Sequence, residues 1–133
     1  MYTLKLPKLL IVFSIIIISL SSLGCGSNDK YVTMVKEGTL YMEPNVPVGK
    51  AFDQFFSNGK WKSFENNGYR YVEFNGECTW YNAPAKLTIQ FQLDTHDNTF
   101  SVYHVGINGT NLDDFDSLSV VAKVLEEYNP KKK

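Results

Sequence analysis

Two neighbouring stretches of the chain alternate apolar and polar residues, and they constrain the fold more than any other feature. A period of two is typical of a β-strand with one buried face, because successive side chains point to opposite faces of a sheet. The first stretch runs from Tyr69 to Trp80. The second has apolar residues at Ala85, Leu87, Ile89, Phe91 and Leu93 and polar residues between them. We therefore predict two long antiparallel strands that share an apolar face.

Gly76 interrupts the apolar register of the first stretch. A glycine inside a strand marks a bulge or a close approach of another element, where a side chain would not fit. Asn75-Gly76 is also a hairpin-turn sequence. A turn there would leave two very short strands, so we predict one continuous strand and keep the hairpin as the alternative.

A third strand is expected from Thr99 to Ile107, after the turn-forming residues 94–98. Its inward face is ambiguous, because Phe100 and Val102 are out of phase with Val105 and Ile107. This mixed pattern indicates an element that is partly covered on both sides.

Helical spacing of apolar residues appears on both sides of the strands. Residues 48–56 place Val48, Phe52, Phe55 and Phe56 on one side of a predicted helix. Near the C-terminus, Phe115, Leu118, Val121 or Ala122, Leu125 and Tyr128 form a second apolar stripe, which Asn129-Pro130 ends. Residues 31–35 and 38–41 are predicted to be extended, and Trp61 and Phe64 to lie on a turn beneath the core.

These elements predict an α+β fold: an antiparallel three- to four-stranded sheet backed by an N-terminal and a C-terminal helix. The chain has 133 residues. We expect a single domain over residues 31–130, followed by a basic tail at residues 131–133.

The first 24 residues have the pattern of an export signal. Lys5 and Lys8 precede a run of apolar residues at 9–20, which is shorter than the roughly 20 residues that span a bilayer comfortably. The small residues that close on Gly24-Cys25 resemble the lipobox of bacterial lipoproteins, except that Ser22 stands where Leu is usual. A signal peptide cut near Gly24 by the general peptidase and an uncleaved membrane helix remain open as alternatives.

The lipobox resemblance implies that Cys25 is acylated and becomes the mature N-terminus. Residues 1–24 would then be the signal peptide and residues 25–30 a lipidated tether. The resemblance places the domain on a cell membrane, lipid-anchored and facing outside the cytoplasm. Cys78, the other of the two cysteines, would then lack an intrachain partner, and we expect a small buried thiol there.

Charge and motifs exclude several function classes. The formal net charge is −1, and the two lysines before residue 25 leave −3 for the remainder. That balance argues against a nucleic-acid partner. The histidines, His96 and His104, lack a zinc-type ligand set, and the aspartates at 113, 114 and 116 fit helix capping better than a calcium loop. We predict no cofactor, no metal and no enzymatic activity; a hydrolase using Cys78 or His96 is the competing hypothesis.

Core and turn residues carry a resemblance over most of the chain after the signal. It rests on Glu37-Gly38-Thr39-Leu40, Val48-Gly49-x-Ala51-Phe52-Asp53-x-Phe55-Phe56, Trp61-x-x-Phe64, Val72-x-Phe74-x-Gly76-x-Cys78, Ile89-Gln90-Phe91 and Phe100-x-Val102. This order resembles a group of small exported or membrane-anchored bacterial proteins of unknown function. The architecture is similar to outer-membrane assembly lipoproteins and β-lactamase inhibitors, which implies a sheet that binds another protein.

The sheet face opposite the helices is the candidate binding site. If helices cover the apolar face, the other face displays Tyr71, Glu73, Gln90, Gln92 and Tyr103. Tyrosine among polar neighbours suits protein recognition, although a merely solvated face has a similar composition. We expect a non-enzymatic module that binds an envelope or extracellular protein. The alternative function is an immunity or exclusion lipoprotein that neutralises a toxin, a phage entry factor or a wall hydrolase.

Overall fold

The computed structural model describes residues 29–132. The predicted export signal and Cys25 lie outside the described residues, as does Lys133. The elements are α1 (Lys30–Glu37), α2 (Val48–Phe55), β1 (Ser57–Asn66), β2 (Tyr69–Trp80), β3 (Ala83–Asp94), β4 (Thr99–Ile107), β5 (Thr110–Asn111) and α3 (Asp114–Glu126). Within this range, none of the helices has the length and apolar character needed to cross a bilayer.

The five strands form one antiparallel sheet in the order β1-β2-β3-β4-β5. The predicted α+β class and antiparallel sheet are confirmed. The sheet has five strands rather than three to four, and three helices rather than two pack with it. Strand β2 is continuous through Gly76, as predicted.

Tight two-residue turns explain how such long strands pair in sequence order. Asn67 and Gly68 join β1 to β2, and Asn108 and Gly109 join β4 to β5, all with positive φ. Hairpins favour this backbone because its twist matches that of the flanking strands, and Asn and Gly adopt it most readily. The β2–β3 turn also has two residues with positive φ, Tyr81 and Asn82.

Strand β1 corrects the prediction that Trp61 and Phe64 lie on a turn. Trp61 pairs with Phe74, and Phe64 pairs with Tyr71 on the other face. Most of β1 is exposed, because the strand lies at the edge of the sheet. Apolar alternation is therefore too weak in this segment to identify a strand.

Helix α1 corrects the prediction that residues 31–35 are extended. Asp29 caps the helix, because its side chain accepts hydrogen bonds from the backbone N–H groups of Tyr31 and Val32 at 2.9 and 3.2 Å. Val32 and Val35 lie one turn apart and are both buried. Capping and burial of this face outweigh the preference of such residues for strands. Lys30, expected in the tether, therefore belongs to a helix.

An aromatic cluster forms the centre of the core. Phe52 from α2 lies 5.2 Å from Phe74 and 5.9 Å from Phe91 between ring centroids. Gly76 allows this packing, since a Cβ there would lie 2.7 Å from the Phe74 ring and 2.8 Å from the Cβ of Phe56. The close approach expected at Gly76 is therefore present.

A β-bulge in β4 resolves the ambiguous pattern of this strand. Gln90 pairs with His104 and the next residue, Phe91, pairs with Val102, so Tyr103 is an extra residue in β4. The insertion shifts the alternation by one position. Val102 and Val105 consequently both face the core, although they are three residues apart.

Helix α3 buries a different stripe from the predicted one. Val121 and Leu125 are buried as expected, but Phe115 and Leu118 are 79% and 48% exposed. The buried residues are Ser117, Val120, Val121, Val124 and Leu125. Their spacing of three and four is regular, and the helix turns this face, rather than its largest side chains, towards the sheet.

Candidate functional site

All three helices pack on one face of the sheet and leave the other face without a helix among residues 29–132. The core contains side chains of α1, α2 and α3 together with alternate residues of β2, β3 and β4. We call the opposite side the open face, formed by Phe64, Tyr71, Glu73, Asn75, Thr88, Gln90, Gln92, Tyr103 and His104. The five predicted binding residues, Tyr71, Glu73, Gln90, Gln92 and Tyr103, are therefore all on one surface.

Glu73 lies at the centre of a hydrogen-bonded network on the open face. One carboxylate oxygen accepts from Nε2 of Gln90 at 2.9 Å. The other accepts from Nδ2 of Asn75 at 3.0 Å and lies 3.2 Å from Nζ of Lys62. Thr88 extends the network by donating its hydroxyl to Oδ1 of Asn75 at 2.6 Å. The polar side chains are consequently ordered by one another across β1, β2 and β3.

The network sets the charge state of Glu73. Partial burial raises the pKa of the carboxyl, but the hydrogen bonds from Gln90, Lys62 and Asn75 and the charge of Lys62 outweigh burial, and the net pKa lies below its ordinary value. The Glu73 side chain is only 13% exposed, whereas that of Lys62 is 65% exposed. The open face therefore carries a fixed carboxylate at neutral pH.

Tyr71 lies on the open face but is not displayed, which corrects our expectation for this residue. Its ring stacks on Phe64 with centroids 5.4 Å apart and contacts Tyr103 at 5.0 Å. Gln92 donates a hydrogen bond to the Tyr71 hydroxyl at 3.3 Å. Tyr71 is 7% exposed, and burial, together with the hydrogen bond to Tyr103, raises the pKa of its hydroxyl. Tyr71 therefore packs against Tyr103 and supports its ring.

Tyr103, unlike Tyr71, is displayed on the open face. Its side chain is 57% exposed, and the bulge places it beside His104 on the same side of β4. Tyr71 contacts one side of its ring. The open face thus presents the exposed ring of Tyr103 beside an ordered polar network, and Tyr69, in the same alternation of β2 as Tyr71, is exposed at the end of that strand.

Cys78 and His104 do not come together in the fold. Cys78 pairs with Ala85 on the core face, whereas His104 pairs with Gln90 on the open face, with β3 between their strands. Burial raises the pKa of the Cys78 thiol, which keeps it protonated and weakens it as a nucleophile.

The aspartate-rich segments close turns and cap helices. Asp94 accepts the backbone N–H groups of His96 and Asp97 at 2.9 and 3.1 Å, which closes the β3–β4 turn. Asp113 caps α3 by accepting from the N–H of Asp116 at 2.8 Å, as predicted. No three potential metal-ligating side chains among His, Cys, Asp and Glu form a cluster in the described part of the chain.

Two partners of Glu73 were absent from the predicted set. Lys62 was missed because β1 was not recognised as a strand, although Asn67-Gly68 was a hairpin signal that could have located it. Asn75 was considered only as a turn residue. The carboxylate's environment is therefore more ordered than the alternating pattern indicated.

Comparisons of the chain with protein-family models, with curated proteins and with solved structures gave no match.

Proposed function

We propose that this chain is a bacterial lipoprotein whose domain is a non-enzymatic protein-binding module at the cell envelope. The binding surface is the open face, and the partner is an envelope or extracellular protein. The observation that carries this proposal is a sheet face with no helix over it in residues 29–132, on which Tyr103 projects beside an ordered Glu73–Gln90 pair.

Preorganisation makes this face suitable for binding. Ordering flexible side chains at an interface costs roughly 0.5–1.5 kcal/mol each. Glu73, Gln90 and Asn75 are already hydrogen-bonded to one another, so little of that cost remains when a partner binds. Tyr103 adds contact area with few rotatable bonds, a property of binding hot spots.

The proposed anchor at Cys25 would hold the open face close to the membrane. Four residue steps separate Cys25 from Asp29, and an extended chain covers roughly 3.3–3.6 Å per residue. The folded domain would therefore begin within about 14 Å of the lipid-bearing residue. Several acyl chains at about 0.8 kcal/mol per buried CH₂ would retain it there durably.

Photo-crosslinking in living cells tests the binding surface. A photoreactive amino acid is placed at Tyr103 or Gln90 of the full-length protein, with Lys50 on α2 as an exposed control position. We expect a discrete crosslinked partner from the first two positions and none from Lys50. Equal crosslinking from Lys50, or no product from Tyr103 and Gln90, would contradict the proposal.

Palmitate labelling tests the anchor independently. The parent protein is expected to incorporate radioactive palmitate and to fractionate with membranes, whereas Cys25→Ser is expected to lose the label. An unlabelled parent protein, or a labelled Cys25→Ser variant, would show that Cys25 is not the attachment site.

A further inference from the structure

The start of α3 exposes apolar surface that the core does not use. Phe115 is 79% exposed and Leu118 is 48% exposed. They lie one turn apart, so their side chains are neighbours on the helix surface. Among residues 29–132, they are the large exposed side chains that have no polar atom. Exposed apolar side chains of this kind gain free energy when a partner buries them, as binding anchors do.

A shallow cavity connects this surface with the open face. It has a volume of about 380 Å³, and its lining includes Tyr103 and His104 from β4, Leu112, and Asp114 and Leu118 from α3. We call Tyr103, Leu112, Phe115 and Leu118 the α3 patch. The patch continues the open face around the outer side of β4.

Acidic side chains border the α3 patch. Asp114 and Asp116 are exposed on the first turn of α3, and Asp113 caps the same helix. Neither lysine nor arginine lines the cavity within the described residues. A ligand that brings apolar groups to this surface therefore also meets negative charge.

From this combination we infer that the α3 patch binds a protein segment that presents an apolar side chain flanked by lysine or arginine. The apolar side chain enters the cavity beside Leu118, and the basic residues face Asp114 and Asp116. Complementary charge favours such a segment and suppresses acidic ones. The same aspartates repel an anionic lipid surface, which argues against the membrane as the occupant.

The edges of the sheet indicate contact through side chains rather than through an added strand. The bulge at Tyr103 interrupts the outer edge of β4, and β5 covers its Gly106–Ile107 end. On the opposite edge, β1 carries Lys60 and Lys62. Bulges, covering strands and edge lysines all disfavour pairing with another chain.

This inference rests on the proposal that the domain binds a protein, and its test separates the two. Fluorescent peptides with leucines at the same positions, and either lysine or glutamate between them, are titrated into full-length protein held in nanodiscs of phosphatidylcholine. Empty nanodiscs provide the blank. We expect the lysine peptide to bind about tenfold more tightly than the glutamate peptide at low salt, with a smaller difference at high salt.

Variants then locate the site. Phe115→Ser combined with Leu118→Ser is expected to weaken binding of the lysine peptide about tenfold, and Asp114→Lys combined with Asp116→Lys is expected to abolish its preference over the glutamate peptide. Tyr41→Ser is the control: Tyr41 is fully exposed in the loop between α1 and α2, outside the open face and the α3 patch, and this variant should leave peptide binding unchanged. Because the substituted side chains are exposed, the variants should keep the thermal unfolding midpoint of the parent.

Three results would overturn the inference. They are equal binding of the two peptides, unchanged binding by the Phe115→Ser/Leu118→Ser variant, and binding of the patch to anionic vesicles in preference to the lysine peptide. If Tyr103 and Gln90 crosslink a partner in cells but the patch variants leave that product unchanged, the inference fails and the proposed function stands. Absence of any crosslinked partner counts against the proposed function itself, whatever the peptides show.

Discussion

Replacing Gly76 by Ala tests the packing that joins helix α2 to the sheet. The new Cβ would lie 2.7 Å from Cε1 and Cζ of Phe74 and 2.8 Å from Cβ of Phe56, whereas favourable carbon contacts are about 3.5–4.0 Å. Neither ring has room to move, because Phe74 is 0% and Phe56 is 6% exposed and both pack against Phe52 with centroids 5.2 and 5.7 Å away.

Two opposing effects set the size of the change. Overpacking a closed core costs about 1–3 kcal/mol. Alanine restricts the unfolded chain more than glycine does, which returns about 0.4–1 kcal/mol. We therefore expect Gly76→Ala to lower the free energy of unfolding by about 1–2 kcal/mol.

Urea unfolding of the purified protein, followed by tryptophan fluorescence, measures this difference. Trp61 is a suitable reporter because its ring lies 4.7 Å from that of Phe74. Gly106→Ala is the matched control: Gly106 is also buried in a strand, but its nearest contact to a new Cβ is the Thr110 carbonyl oxygen at 3.4 Å. The control should be neutral or stabilised by up to about 1 kcal/mol. A Gly76→Ala protein at least as stable as the parent would refute the packing argument.

Three further predictions concern the network, the first helix and the bulge. Folding lowers the pKa of Glu73 below its ordinary value of 4.5. The ionised Glu73 side chain therefore stabilises the fold above pH 4.5, and this stabilisation is lost as the pH falls through the lowered pKa. When unfolding is measured at decreasing pH, Glu73→Gln should lose less stability than the parent in this range. Asp29→Ala should lower the free energy of unfolding by about 0.5–2 kcal/mol, whereas Asp29→Asn, which can still cap α1, should lose less. Deleting Tyr103 should preserve the circular dichroism spectrum and cooperative unfolding, since the remaining residues of β4 alternate regularly. Deleting Thr88 from β3 is the control and should abolish cooperative unfolding, because the one-residue shift turns half of that strand's apolar residues outward.

The parts of the fold that were predicted correctly are those in which one burial pattern dominates. Strand β3 lies in the sheet interior with strict alternation, so a period of two identifies it. Strand β1 was missed because an edge strand with few buried residues hardly alternates. The turn sequence Asn67-Gly68 was the better signal, since it depends on backbone conformation and not on burial.

The two helical errors have different physical causes. For α1, the capping residue Asp29 was assigned to the tether, and the remaining residues favoured an extended conformation. For α3, two apolar stripes compete, and the prediction followed the larger side chains of Phe115 and Leu118. The buried stripe contains Ser117 and Val120 instead, because the smaller residues allow the helix to approach the sheet.

The candidate surface was predicted in position but not in exposure. Alternation fixes which face a strand residue occupies, and all five predicted residues share the open face. Whether a side chain is displayed depends on its neighbours across the strands, which a single stretch of sequence does not specify. Tyr71 is covered by Phe64 and Tyr103, whereas Tyr103 has the outer position of this aromatic row.

The bulge in β4 connects the core with the proposed binding surfaces. If β4 alternated regularly through Tyr103, without the bulge, Val102 and Val105 would face opposite sides of the sheet, and one of them would be lost from the core. The insertion keeps both inside and places the surplus residue, Tyr103, on the outside. Since Tyr103 belongs to both the open face and the cavity lining beside Leu118, one backbone irregularity brings the polar network and the apolar patch into a continuous surface. A partner that engages the two together would contact Tyr103 at its centre, where hot-spot residues concentrate.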